Sequence, residues 1–444
     1  MRKIKHFKTV NWICLVFLSV ISNSFALLRI YPKLLYIMIP VFIIINVIPG
    51  IFDLKTRSVR LRVTNHGVNT LSIFAASIIP CVIFHVVYAF FVIPGSYMRL
   101  IWSLLFCIVS EGIYFWNGII CVYCTSIQLG IDLRVKGALS GIVPILNIIF
   151  LSKIIHIVSN EVEFESKKEE VNELRKSEQI CKTKYPILFV HGVFFRDSKF
   201  FNYWGRIPKE LITYGAVVFY GEHLSAQSIA ESAQEIADRI NDIIEKEGCE
   251  KVNIIAHSKG GLDSRYAISE LGIASKVASL TTINTPHQGC KFAEQLLKTT
   301  SSKLQNYISK TYNSTFKKLG DPNPDFMEAV NDLTATSCEK LNEKLSMPEG
   351  IFCQSFGSRL NSALGGKFPM NVSYNYVKKY DGSNDGLVGE DSFEWGEQYR
   401  LITVKGKRGI SHGDMIDLNR ENIPEFDVRE FYVELVSELK NRGL

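Results

Sequence analysis

Ser258 stands in the stretch Asn253–Tyr266, NIIAHSKGGLDSRY, where an apolar run ends at Ala256 and a sharp turn leads into a helical pattern. A serine hydroxyl is a poor nucleophile until a base takes its proton and the backbone lifts it clear of its neighbours. A strand–turn–helix elbow with small residues at 256 and 260 does the lifting, because the tight turn carries the helix close to adjacent strands. The pattern is A-x-S-x-G instead of the commoner G-x-S-x-G.

Acyl chemistry needs three further groups. The first is a pair of backbone N–H donors for the oxyanion that develops in the transition state. One follows the nucleophile, at Lys259, and one comes from an early strand–helix loop, at Val193 in PILFVHGVFFRD. His191 in that loop is read as shaping it. The base and its orienting acid come next, in chain order after the serine. Only His287 and His412 follow Ser258. His287, directly after a strand in NTPHQG, is read as structural. His412, in GISHGDM between the last strand and the last helix, is the base by elimination. Asp385 and Asp381 both qualify as the acid in YDGSNDGLVG, with Asp385 preferred. Asp263, Asp391, Asp414 and Asp417 are read first as surface or structural acids.

These residues need a rigid frame. Apolar β-rich runs at 186–190, 216–220, 252–256 and 277–284 alternate with helical patterns, and further strands are expected at 351–356, 371–377 and 399–404. Such alternation specifies a mostly parallel sheet flanked by helices, and continuous hydrophobicity suits strands covered on both faces. Ser228 and Glu231 form a capping box and Gly248 a stop for one covering helix; another is expected over about 428–441. The fold class is therefore α/β, an α/β-hydrolase fold over 182–444, preceded by an all-α multi-pass transmembrane region over 1–158 and a charged linker over 159–181. Residues 290–345, rich in Leu, Phe, Tyr and Lys, are read as a lid or cap, with a packed helical insertion as the alternative.

The transmembrane expectation rests on five apolar runs, roughly 10–28, 34–52, 70–93, 100–127 and 138–158, each about 20 residues or longer as a spanning helix requires. Residues 1–160 hold 14 Lys and Arg against three acids, a charge of +11, so the remaining 284 residues carry −5 of the chain's +6. The basic balance belongs to the membrane part and argues against nucleic acid as a partner. Lys and Arg concentrate before run one and after runs two and four, which orients the amino terminus to the cytoplasm and the hydrolase domain to the extracytoplasmic side. Glu111 is the lone acid inside a run and is read as a neutral or hydrogen-bonded residue. The ten cysteines leave the redox compartment open, and no Walker or GxGxxG pattern suggests a nucleotide.

Five stretches in order resemble the bacterial triacylglycerol lipases, in a membrane-anchored branch: His191-Gly192, AHSKGG (256–261), INTPHQG (283–289), NDGLVG (384–389) and SHGD (411–414). The weaker 329–342 stretch joins them, and the resemblance covers most of 185–440. It implies a Ser258–Asp385–His412 triad with the Val193 and Lys259 N–H groups as oxyanion hole. It also implies a lipid or ester substrate at a bilayer, with no cofactor required. A phospholipase or acyltransferase with the same triad is the alternative, and an inactive hydrolase-fold membrane protein a further one. Two features depart from the resemblance or remain open within it. Lys259 makes the pocket rim more basic than in relatives. Relatives often bind a structural calcium near the histidine, for which Asp414 is the candidate ligand; calcium and a metal-free turn both stay open.

Overall fold

The computed structural model describes residues 8–444 apart from 52–53, 55, 93–95, 194–202, 225, 300, 302–309 and 311–324. The chain divides into two compact units, Met1–Leu174 and Arg175–Leu444.

The first unit is helical: α1 (Thr9–Ser22), α2 (Phe25–Ile30), α3 (Leu35–Val47), α4 (Val59–Val92), α5 (Tyr97–Thr125), α6 (Ile131–Leu139) and α7 (Pro144–Arg175), the last running one residue past the boundary. Among the described residues two helices are long and apolar enough to cross a membrane: α4, over Val59–Phe91, and α5. The first two apolar runs form helices of 14 and 13 residues. At 1.5 Å per residue these reach about 20 Å, short of a hydrocarbon core of about 30 Å. Asn23 and Ser24 interrupt the first run by turning their side chains onto the carbonyls of Ser19 and Ile21. Glu111 is buried, with Ser22 Oγ donating to Oε1 at 2.9 Å and Ser77 Oγ to Oε2 at 2.7 Å, as the hydrogen-bonded reading expects.

The charged stretch after residue 158 continues as helix to Arg175, the second half of α7, mostly exposed or half-buried beyond Val162, while its Glu161 is 2% exposed. That carboxylate pairs with Arg60 at 2.7 Å and accepts from Ser126 Oγ and the Ile127 N–H, so it closes the turn after α5. A buried charge is tolerated there because every oxygen has a donor.

The second unit is a six-stranded parallel sheet of order β2-β1-β3-β4-β5-β6. Its strands are β1 (Ile187–Val190), β2 (Val218–Tyr220), β3 (Val252–His257), β4 (Val277–Ile283), β5 (Phe352–Ser358) and β6 (Gln398–Ile402). Side chains alternate between two cores. Phe189, Ile255, Ile283 and Phe356 pack on one face with Trp204, Tyr432 and Val436. Leu188, Val190, Ile254 and Leu280 pack on the other with Ile236, Ile240 and Ile268. The period of two along each strand makes both faces apolar, as a sheet covered on both sides demands.

Helix α8 (Ile207–Thr213) precedes β2, and helix α9 (Ile229–Glu247) carries the expected capping box and ends at left-handed Gly248. The C-terminal helix is Val428–Asn441. The strand expected over 371–377 is instead part of a helix, Met370–Asp381. Met370, Tyr374 and Val377 are its buried residues, a spacing of four and three that outweighs the β-leaning composition. The described part of 290–345 holds the helices Lys291–Thr299 (α11), Phe326–Asp332 and Ala335–Lys344; Leu304, Tyr307, Ile308, Tyr312 and Phe316 lie outside the described residues.

Candidate active site

Strand β3 ends in the elbow that carries Ser258, the candidate nucleophile. Ser258 has φ 56° and ψ −131° at the head of α10 (Lys259–Glu270), a conformation that costs of order 1–3 kcal/mol for a residue with a Cβ. The surroundings over-determine it. Ser258 N donates to the Ile283 carbonyl at 2.9 Å, tying the elbow to the end of β4. A Cβ on Gly192 would come within 2.7 Å of the Ser258 Cβ, and one on Gly260 within 2.4 Å of the His191 carbonyl. The loop after β1 and the elbow therefore touch backbone to backbone, which only glycine allows. Among the described residues the Val193 and Lys259 N–H groups have no hydrogen-bond acceptor; for Lys259, the first residue of α10, this is the ordinary state of a helix start.

His412 and Asp385 meet as a pair: His412 Nδ1 donates to Asp385 Oδ2 at 2.6 Å, and the His412 N–H to the Asp385 carbonyl at 2.9 Å. Asp385 is fully buried. Its Oδ1 accepts from the Leu387 and Val388 N–H groups and its Oδ2 also from Asn284 Nδ2 at 2.5 Å. With His412, four donors fill a carboxylate's usual complement of acceptor positions. Asp381, the competing acid, instead caps α11 by accepting from the Lys291 and Phe292 N–H groups. Ser258 Oγ makes no hydrogen bond to His412; it sits against Gly192, where an added Cβ would lie 3.2 Å away. Catalytic hydrogen bonds often tighten only when substrate arrives.

Sequence reasoning passed over the residues that join these parts. Gly192 N–H donates to Tyr203 Oη at 3.1 Å, the Tyr203 hydroxyl donates to His257 Nδ1 at 2.7 Å, and His257 Nε2 donates to the His412 carbonyl at 3.2 Å. This buried relay links the loop after β1, the elbow and the turn that carries His412. Burial and the nearby His412 hold the His257 pKa well below the ordinary imidazole range, so the ring is neutral and can accept and donate at once. Its position beside Ser258 was visible in the sequence; Tyr203, distant in the chain, gave no signal.

The other candidates are structural. His287 accepts from Arg265 at Nδ1 (3.2 Å), bonds Thr282 through Nε2 (2.9 Å) and stacks on Trp395. His191 Nε2 donates to the His223 carbonyl at 3.1 Å, and the two rings stack 3.9 Å apart. Lys259 does not line a basic rim. It is 1% exposed and runs back between α9 and α10, bonding Asp263 at 2.8 Å and Ser232 Oγ at 3.0 Å. Asp263, expected as a surface or structural acid, is buried too, and burial pushes its pKa up to about 7 against the pull of Lys259. Asp417 is also buried, held by both arms of Arg206 at 2.8 Å, whereas Asp391 is exposed.

Asp414, the candidate calcium ligand, has both oxygens engaged by N–H donors. Arg408 Nη1 and Nη2 reach Oδ2 and Oδ1 at 2.9 and 3.2 Å, and the Ser411 N–H reaches Oδ2 at 2.8 Å. A hard cation takes six to eight oxygens, and a guanidinium cannot share the same lone pairs with it. Among the described residues no group of three or more His, Cys, Asp or Glu is set to hold a metal. The residues present do not fit calcium.

Residues 152–336 match a family model described as a domain of unknown function, DUF7379. The chain is 32% identical over 174 residues to a triacylglycerol lipase of Pseudarthrobacter phenanthrenivorans, covering 36% of this chain and 53% of that one. It is 26% identical over 297 residues to a triacylglycerol lipase of Pseudomonas fragi, covering 59% and 98%. It thus spans about half the length of the first relative. Among solved structures, Bacillus licheniformis lipase BlEst2 in mature form is similar at TM-score 0.43 and 20% identity, over 57% of this chain and 92% of that one. The 175–444 unit thus combines a parallel sheet flanked by helices and a strand–turn–helix elbow at Ser258 with similarity in sequence to triacylglycerol lipases.

Proposed function

We propose that this chain is a membrane-anchored serine hydrolase that cleaves carboxylic esters of lipids. The observation that carries the reading is the conjunction of Ser258 on a strained elbow with a 2.6 Å His412–Asp385 pair. In this mechanism His412 Nε2 takes the Ser258 proton as Oγ attacks the ester carbonyl. The Val193 and Lys259 N–H groups hold the oxyanion, and Asp385 fixes the imidazole tautomer and stabilises imidazolium. The protonated His412 then gives its proton to the departing alcohol. Water, activated by the same histidine, hydrolyses the acyl-enzyme.

The apolar helices α4 and α5 support anchoring, and relatives named triacylglycerol lipase support a lipid ester as substrate. Counted over five spans, the distribution of Lys and Arg supports an extracytoplasmic hydrolase unit; counted over α4 and α5 alone, it supports a cytoplasmic one. The test is hydrolysis of p-nitrophenyl esters of increasing acyl length by the full chain in detergent. Wild type should cleave long chains, and Ser258→Ala should lose about 10³-fold or more in kcat. Equal rates for the two proteins would refute the nucleophile.

A further inference from the structure

The turn that presents His412 is held by a cation that belongs to the chain. Arg408 forks across Asp414 and reaches on to Glu421 Oε2 at 2.9 Å, while Nη1 also donates to the Gly409 carbonyl at 3.0 Å. Lys367 Nζ meets the same Glu421 oxygen at 3.0 Å. Asp414 closes the His412 turn from the other side: its carboxylate accepts from the Ser411 N–H and its own N–H donates to Ser411 Oγ at 3.3 Å. One carboxylate thereby binds a guanidinium on one side and brackets the base on the other.

The arginine is itself fixed. Its carbonyl accepts from the Asn361 N–H at 3.3 Å, and a Cβ on Gly365 would fall 1.9 Å from that carbonyl oxygen, so this stretch lies hard against the 361–365 segment. Asp414 is 5% exposed and the Arg408 side chain 22%. At such a site a charge-assisted fork keeps most of its strength.

We propose that Arg408 is a built-in cation for the catalytic turn, performing the bracing that a bound calcium would supply, and that this hydrolase folds and works without calcium. Arg408 is in this sense a positioning residue: it touches no reacting atom and acts through Asp414 on His412. Two carboxylates and a carbonyl converge on its guanidinium, so its removal would leave three oxygens facing one another, the start of a hard-cation site. The catalytic half of the proposal rests on the hydrolase reading; the stability half does not.

The experiment uses the full chain in detergent, with melting temperature and ester turnover measured in EGTA and in about 5 mM CaCl₂, a concentration that loads even weak calcium sites. Wild type should keep the same Tm, within about 1 °C, and the same kcat in both. Arg408→Ala should melt lower, lose about tenfold or more in kcat with KM little changed, and gain a Tm response to calcium by mass action. A wild type that loses Tm or turnover in EGTA overturns the proposal, as does an Arg408→Ala protein with no calcium response. If Arg408→Ala does not fold, Arg408→Lys is read in its place. One ammonium cannot bridge both Asp414 oxygens and Glu421, so kcat should fall at constant KM, and a wild-type kcat overturns the proposal. Calcium-indifferent melting of wild type and calcium-responsive melting of Arg408→Ala, in a chain with no esterase activity at all, would leave the inference standing and sink the hydrolase reading.

Discussion

Replacing Tyr203 by Phe deletes one oxygen from the centre of the relay and keeps the ring that packs on Trp204 and His257. Two buried groups lose their partner at once: the Gly192 N–H, which donates to Oη, and His257 Nδ1, which accepts from it. An unsatisfied buried polar group costs about 1–3 kcal/mol, so the pair should cost about 3 kcal/mol once some relaxation is allowed. For a unit of this size each kcal/mol lowers Tm by about 2–4 °C, giving a fall of roughly 6–12 °C. Gly192 also adjoins the Val193 N–H proposed for the oxyanion, and His257 holds the His412 carbonyl, so kcat should fall by about 10- to 100-fold, or 1.4–2.8 kcal/mol of barrier, with KM nearly constant. The assays are differential scanning fluorimetry and steady-state ester hydrolysis on the full chain. Ser258→Ala is the control that abolishes turnover without lowering Tm. A Tyr203→Phe protein with wild-type Tm and kcat would refute the relay.

Asp385→Asn should keep the fold and lose about 10³- to 10⁴-fold in kcat, because an amide no longer selects the Nδ1–H tautomer of His412; steady-state kinetics checks it. Lys259→Met should cost about 3–5 kcal/mol by leaving Asp263 a buried acid without its cation. The folded Asp263 binds its proton more tightly than the unfolded chain does, so stability is full below the ordinary carboxyl range and drains as pH rises through it toward about 7. The mutant's deficit in chemical denaturation should therefore be larger at pH 8 than at pH 6. His257 and His287 are held neutral well below the ordinary histidine range by burial. The unfolded chain then takes up more protons below about pH 6.5, and each histidine should remove about 1.4 kcal/mol of stability per pH unit of acidification, partly offset by Asp263. Replacing His287 by Asn should flatten the fall of Tm between pH 6.5 and 5.

Much of the site was legible because it lies on local patterns. The elbow around Ser258 reads from a buried strand, small residues and a helix start. His412 follows from chain order, and the Ser228 capping box fixes α9 without reference to the rest of the chain. What the sequence withheld was pairing across distance. Asp381 and Asp385 occupy one turn and differ only in what they face, the α11 amino terminus for one and His412 for the other. Lys259 reads as a rim cation until burial turns it toward Asp263, and Asp414 reads as a metal ligand until Arg408 closes on it. The helix Met370–Asp381 was misread because aromatic and β-branched residues suit a strand, while its partners across the turn select the helical spacing. In the first unit apolar length alone suggested five spans, and the polar break at Asn23–Ser24 shortens the first.

The central claim is that Ser258 is the activated nucleophile of this chain. Labelling the full-length protein with a fluorophosphonate, digesting it and mapping the adduct by mass spectrometry tests that claim without assuming a substrate. One adduct is expected, on the peptide carrying Ser258, lost in Ser258→Ala and strongly slowed in His412→Ala. An adduct on another residue, or undiminished labelling of Ser258→Ala, would contradict it.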